Sequence, residues 1–388
     1  MQNIVVLGTG IAGMPLIRQT MRSVVLPSSD YKMIVVSPNS HFLWPIAMPR
    51  AVVPGQFEDG EVMYPLEPIF QDFPADRFEF VQQAASKVDP DRNVVLVGER
   101  EIEYHTLIVA TGSSTRDQFP WKIVGTSAET KAALHKTQKE IHDGSSVAVI
   151  GGGVTGAETA GELGYEYSRN GKKEVYLIYD DVLPLHAAST DKVRKQTVLE
   201  LERLKVKLIP STKVTKTTPQ SEGKTELELT AKDGSTKTLT VDAVLPATGL
   251  VPNTSFLPSS LLDERGHVVQ DGFLRTPGHE NIFVVGDAGS IDPPKAIFAD
   301  DQSLWLLKHL PRYFSHNGEM PSEPYKKEGA GSRNVEALTL GRAKGTGHLN
   351  GWKLPSIAIW WLKGRYLGTD YAGELAAGKR TITTVFEK

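Results

Sequence analysis

Apolar residues first gather in "IVVL" (Ile4 to Leu7), a run that stops at Gly8. After a helix-length segment a second run follows, "YKMIVVS" (Tyr31 to Ser37), so the chain opens as strand, turn, helix, strand. "TLIVATGSS" (Thr106 to Ser114) reads as a buried strand halted by Gly112. The order then starts again: "SVAVIGGG", a helix from about Val154 to Asn170, "EVYLIYDD" (Glu174 to Asp181), and "VDAVLPATGLVPN" (Val241 to Asn253) as the closing strand. One order met twice predicts an α/β chain of two doubly wound, Rossmann-like units. Thr212 to Asp242 alternates polar and apolar residues around Gly turns and predicts a hairpin of the second unit. "NIFVVGDAGS" (Asn281 to Ser290) is a further buried strand, and after Pro311 the chain turns polar and glycine-rich to about Gly351. The boundaries expected are 1–115 with 250–315 for the first unit, 116–249 for the second, and an α+β C-terminal region over 316–388.

Length supports that division, because 388 residues exceed one ordinary core. A net charge of −3 supplies no field to gather nucleic acid, and no nucleic-acid partner is expected. The chain has no cysteine, which removes disulfides, thiolate metal sites and a dithiol redox pair; no metal is expected. Gln2 follows the first Met where N-myristoylation needs glycine, and no run of 18 apolar residues occurs. The expected address is cytoplasmic, with peripheral membrane contact as the alternative.

The chemistry sits in the turns. Gly8-Thr9-Gly10-Ile11-Ala12-Gly13 follows the first strand and opens the first helix. Its leading glycine permits the sharp exit, the second lets a pyrophosphate approach the backbone, and the third lets helix and strand pack closely. Gly151, Gly153 and Gly156 repeat the spacing, so two dinucleotides are expected, one per unit. Asp287, after the strand-ending Gly286, is placed to bind a polyol hydroxyl or to cap the turn that follows. With Ala110-Thr111-Gly112 it resembles the segments that hold FAD in two-dinucleotide flavoproteins, which assigns FAD to the first unit and NADH or NADPH to the second. Where the fingerprint has an acid for the ribose the first unit has Ser37, and the second has Tyr179 followed by Asp180 and Asp181. Those acids would repel a 2′-phosphate and favour NADH.

Taken together, the two glycine turns, "ATG" at both crossings and "VVGDAG" resemble the apoptosis-inducing-factor-like flavoproteins, most of all the ferroptosis-suppressor type, which reduce quinones with NAD(P)H. Type II NADH dehydrogenases share the layout, some of them also with Ser-Pro where Ser37-Pro38 stands. "HFLWPIAMPRAVV" is similar to a family segment ending in an FAD-contacting arginine, here Arg50, and "ASKVDP" to an adenine-side turn beginning at Ala85. "GDAGSIDPPKAI" resembles the flavin-side turn that contributes Lys295, and "VEALTLGRAKGTGHLNGWKLP" the family's C-terminal start. The resemblance implies Glu158, Lys295 and Lys363 near the flavin, while His41, next to Phe42 and Trp44, is expected to pack over FAD in preference to acting as an acid or base. It departs at Gly368, where the family carries an aromatic, and this bears on a quinone pocket.

The expected function is transfer of hydride from NAD(P)H to flavin and onward passage of electrons to a quinone-like acceptor. Two alternatives are a biosynthetic FAD-dependent oxidase or dehydrogenase acting on a small metabolite, and a signalling protein with structural FAD. "SIAIWWLKGRYL" (Ser356 to Leu367) is expected to pack on the first unit or to make a homodimer contact in preference to lying on a membrane.

Overall fold

The computed structural model describes residues 1–327 and 330–387. Gln2–Leu7 lies at the centre of the first sheet, parallel to Tyr31–Val36 on one side and to Thr106–Val109 on the other. Phe78–Val81 and His279–Val284 extend it outward, and Arg275–Thr276 closes one edge in the antiparallel sense. Its inner strands are unbroken apolar runs because both faces are covered. Ile4 and Val6 meet the core that holds Leu16, Ile17, Leu306 and Leu310 of the helices Gly13–Thr20 and Ala296–Ser315. Val5 and Leu7 face Val88, Val95 and Ile102 of an antiparallel meander over Lys87–Asp89, Val94–Val97 and Arg100–Glu103.

The second sheet repeats the plan. Ser146–Ile150 is flanked in parallel by Glu174–Ile178 and Ala243–Pro246, with Lys207–Ile209 outermost. Helices Val154–Glu166 and Asp191–Arg203 follow its first two strands. The former is shorter than expected, giving way to a 3-10 turn over Ser168–Asn170 and a left-handed Gly171. The expected hairpin is a three-stranded meander, Thr212–Pro219, Thr225–Ala231 and Thr236–Val241. That segment holds two reversals, at Gly223 and at Gly234, both with positive φ, and two reversals make three strands.

The crossings between the sheets pair with each other, Ser113–Thr115 antiparallel to Leu250–Pro252. Asn253 fastens them: its Nδ2 donates to the Thr111 carbonyl at 3.0 Å, and its own carbonyl accepts from the Thr111 hydroxyl at 2.7 Å.

The C-terminal region is more regular than its composition suggests. The helix from Ala296 passes through Pro311 to Ser315, and Val335–Leu340, Lys344–Leu349 and Trp352–Lys353 form an antiparallel sheet. This sheet rests on the Val154–Glu166 helix at Gly161, where any Cβ would meet the Gly341 nitrogen at 2.8 Å. A glycine there brings strand backbone against helix backbone.

Candidate functional site

The two glycine turns sort their residues in the same way. Gly8 has φ +101°, and a Cβ on it would lie 2.4 Å from the Ala110 carbonyl oxygen. Gly151 has φ +114°, and a Cβ would lie 2.3 Å from that of Ala247. A Cβ on Gly13 would come within 2.4 Å of the Gly8 oxygen, and one on Gly156 within 1.9 Å of the Gly151 oxygen. Four glycines are therefore required by the protein's own backbone. The middle glycines differ: around a Cβ on Gly10 or Gly153 nothing lies within 4 Å. Open space beside backbone N–H groups at a helix start is what a pyrophosphate needs, so both turns fit a dinucleotide.

Around these cradles the side chains diverge. Ser37 is buried with its hydroxyl 3.1 Å from that of Thr9. Tyr179 stands at the matching place in the second unit, so close that a Cβ on Gly152 would meet its Cβ at 2.6 Å, and burial pushes its phenol up to about 12. Asp180 follows, exposed and without an ion-pair partner among the described residues. Asp181 is taken: the Val182 backbone N–H and Arg194, at 2.8 Å, hold its carboxyl below the ordinary range. Both acids line a cavity of about 610 Å³ that also takes in His186, Lys213 and Lys232.

In the first unit Asp287 accepts from the Ser113 hydroxyl at 2.7 Å and from Lys122 Nζ at 2.5 Å. Burial works to raise its pKa, but Lys122 and Ser113 prevail and hold the carboxylate below its usual value. Lys122 is a site residue that the sequence reading missed, since a lone lysine in "FPWKIVG" carries no spacing signal. Gly112 has φ +63° with open space beside it, while the Thr111 hydroxyl is spent on Asn253. Ile11 and Ala85 are half-buried against the two cores, and Ala12 is buried. The His41 imidazole faces Ser40, Nδ1 lying 2.9 Å from its hydroxyl.

A second cluster gathers all three residues expected near the flavin. Glu158, buried in the helix behind the second turn, accepts from the Thr339 backbone N–H at 2.8 Å and pairs with Lys363 Nζ at 2.6 Å. Lys363 also donates to the Ala337 carbonyl at 3.2 Å, and Lys295 to that of Val335 at 2.8 Å. Residues 335, 337 and 339 share the edge of their strand that faces away from Lys344–Leu349, so three charged side chains cap one free sheet edge.

Arg50 goes elsewhere than to a phosphate. Its Nε and Nη2 donate to buried Glu162 at 3.0 and 2.8 Å, and Nη2 also donates to the Gly364 carbonyl at 3.0 Å. Glu162 lies four residues after Glu158, and Glu166 a further four, each pair on one helix face. Arg342 reaches Glu166 at 3.3 Å. Three acids at a spacing of four were the legible signal, and each one meets a cation from outside the second unit. Gly368 shows why the family's aromatic is missing: φ is +75°, and a Cβ would strike the Trp44 ring at 2.7 Å and the Tyr371 hydroxyl at 2.8 Å. Trp44 and Tyr371 pack edge to face at 5.6 Å in that place.

Comparison with known proteins supplies the family. The family model described as pyridine nucleotide-disulphide oxidoreductase matches residues 2–302. "Oxidoreductase ptaL" of Pestalotiopsis fici is 34% identical over 366 residues, covering 92% of this chain and 94% of the relative. Ferroptosis suppressor protein 1 of Xenopus tropicalis is 28% identical over 374 residues, covering 93% and 92%. The solved structure of the sulfide:quinone oxidoreductase from Aquifex aeolicus shares the fold with a TM-score of 0.75 at 16% identity, covering 97% of this chain and 92% of the other.

Proposed function

This chain belongs to the pyridine nucleotide-disulphide oxidoreductase family and is an FAD- and NAD(P)H-dependent oxidoreductase, and from that premise we propose that it passes its electrons to a quinone-like acceptor. When bound, FAD supplies the redox chemistry, taking hydride from the nicotinamide and returning electrons singly or in pairs. The protein's own part is to hold and to exclude. Backbone N–H groups at Gly8–Gly13 and Gly151–Gly156 take the two pyrophosphates. Asp287, kept anionic by Lys122, accepts hydrogen bonds from a polyol hydroxyl. We read 1–115 with 250–315 as the FAD unit, 116–249 as the NAD(P) unit, and 316–388 as the region that closes over them.

The observation that carries the acceptor reading is the Glu158–Lys363 pair at 2.6 Å in a chain without cysteine. With no dithiol to relay electrons, the acceptor itself has to reach the flavin side. A quinone also needs two protons, and Lys363 Nζ, held by a buried carboxylate, is an atom from which one can be delivered. For the reductant we favour NADH, since Asp180 offers a free carboxylate beyond the second strand of its unit.

The test is anaerobic reduction followed by reoxidation. Flavin absorbance near ~450 nm should bleach on adding NADH, and a short-chain quinone should restore it faster than air-saturated buffer. No gain from any quinone would sink the acceptor and leave the dehydrogenase assignment standing. It would favour the second reading, a small-metabolite substrate, which the filling of the Gly368 site by Trp44 and Tyr371 supports.

A further inference from the structure

A surface helix in a water-soluble protein turns its polar side outward, and the C-terminal region does the reverse. In the short helix Ser356–Ile359 and the turn Trp360–Gly364 that continues it, Ile359 and Gly364 are buried, whereas Ile357 is 74% and Trp361 70% exposed. Leu362 is exposed with them, as are Trp352 at 81% and its cross-strand partner Leu349. The end of the stretch packs on the first unit as expected, the Trp44 indole donating to the Leu367 carbonyl at 2.7 Å and Arg50 to that of Gly364 at 3.0 Å. Its helix and turn nonetheless leave Ile357, Trp361 and Leu362 in solvent. The stretch is not a loose tail. The Trp360 indole donates to the Arg342 carbonyl at 2.8 Å, the Gly345 N–H donates to the Ser356 hydroxyl at 3.0 Å, and Ile359 sits against Gly345.

We propose that this face, from Leu349 to Tyr366, docks on an anionic lipid surface. Charge selects that occupant. Between Glu336 and Asp370 the sequence carries no acid and five cations. Two of these turn inward, Lys363 to Glu158 and Arg342 to Glu166. Lys344, Lys353 and Arg365 remain exposed, Lys353 next in sequence to Trp352 with its ammonium donating to Gln196 at 3.2 Å. A twofold contact with a second copy would bury these apolar residues too, but it would set one purely cationic patch against another. An anionic headgroup layer accepts both parts, with the aromatic and aliphatic side chains at the acyl boundary and the cations at the phosphates. Among the described residues no helix is long and apolar enough to cross a membrane, so the face rests on the bilayer. Nothing in this depends on which acceptor is reduced.

The experiment is co-sedimentation of the FAD-loaded chain with vesicles of phosphatidylcholine, alone or mixed with phosphatidylserine. Binding should rise sharply with phosphatidylserine and fall with added salt. Trp352→Ser combined with Trp361→Ser should weaken it by more than about tenfold. Replacing Lys344, Lys353 and Arg365 together by Gln should weaken it roughly a hundredfold, at about fivefold per cation. Flavin content and bleaching by NADH report that each variant is folded, since all five side chains are exposed. Wild-type protein that stays in the supernatant, or a tryptophan variant that sediments like wild type, would overturn the proposal. So would a dimer in sedimentation velocity that the tryptophan variant converts to monomer, because the face would then belong to a second copy.

Discussion

In the first unit the residue between the leading glycines is Thr9, and its hydroxyl meets Ser37 at 3.1 Å. In the second it is Gly152, which lies against the Tyr179 side chain. Beneath these differences the backbone is the same. The Gly8 N–H donates to the Val36 carbonyl and that of Gly151 to Ile178, while Ala110 and Ala247 donate to Leu7 and Ile150. The phosphate cradle is thus a property of chain conformation and tolerates different neighbours. The groups we propose to distinguish the nucleotides lie beyond it, Asp287 with Lys122 on one side and Asp180 on the other.

The largest effects should come from the glycines that the backbone itself requires. Gly13→Ala and Gly156→Ala each drive a methyl into a carbonyl oxygen, at 2.4 and 1.9 Å. If the units are independent cradles, Gly13→Ala yields a colourless protein, whereas Gly156→Ala stays yellow and is no longer bleached by NADH. Gly10→Ala and Gly153→Ala sharpen the contrast, because their methyls enter space that is empty of protein. Both should fold with unchanged thermal midpoints and still bind FAD or NADH at least about tenfold more weakly. Full affinity in either would mean that no pyrophosphate approaches there.

These turns were legible because their spacing is local and each glycine has a steric reason to be there. The parallel sheets were legible as well, since strands covered on both faces become plain apolar runs. Arg50 was not legible. Its buried partner, Glu162, is 112 positions away, and a cation among apolar residues calls equally for a phosphate or a carboxylate. The same holds for Lys122, which meets Asp287 only once the crossing is folded. Glu158 and Lys363 were singled out by resemblance, yet their pairing depends on the C-terminal sheet, in a stretch whose polar, glycine-rich composition hid its strands.

That pairing supplies the next prediction, for the C-terminal region is bound to both units. On the second unit it rests on buried carboxylates. Lys363→Met strands the Glu158 charge and should cost about 3 kcal/mol, lowering the thermal midpoint. Adding Glu158→Gln should restore most of that loss, because a neutral amide can stay buried while accepting from Thr339. If the double variant melts no higher than the single one, the lysine matters for packing and the pair for nothing more.

A smaller effect is expected at the far end of the second cradle. Removing the free acid in Asp180→Ala should move the ratio of kcat/KM for NADPH over NADH upward by about tenfold, the worth of one like-charge contact at roughly 1 to 1.5 kcal/mol. Lys213 and Lys232, in the same cavity, would then face the 2′-phosphate without opposition from Asp180. An unchanged ratio would place the ribose elsewhere.

On the first unit the buried Asp300 accepts from the Thr383 hydroxyl, but the tie at Glu387 is part-exposed, and its effect should be the smallest and the most dependent on pH. Glu387 pairs with Arg18 at 3.0 Å and Arg22 at 2.5 Å. Burial works to raise its carboxyl, but hydrogen bonds from Arg18, Gln19 and Arg22 prevail and bring it down to about 2. A folded value below the unfolded one means that the stabilisation is whole above roughly pH 4.5 and drains away as the pH falls towards 2. Glu79, also held down to about 2, by Arg100 and Lys32, drains over the same interval, so the wild-type profile alone does not isolate the tie. The difference between wild type and Glu387→Gln does. Their thermal midpoints should be separated at pH 6 and converge as the pH drops to about 3. A gap that stays constant across that range would show that Glu387 holds the tail by shape, and the contrast between this part-exposed pair and the buried Glu158 carboxylate would be lost.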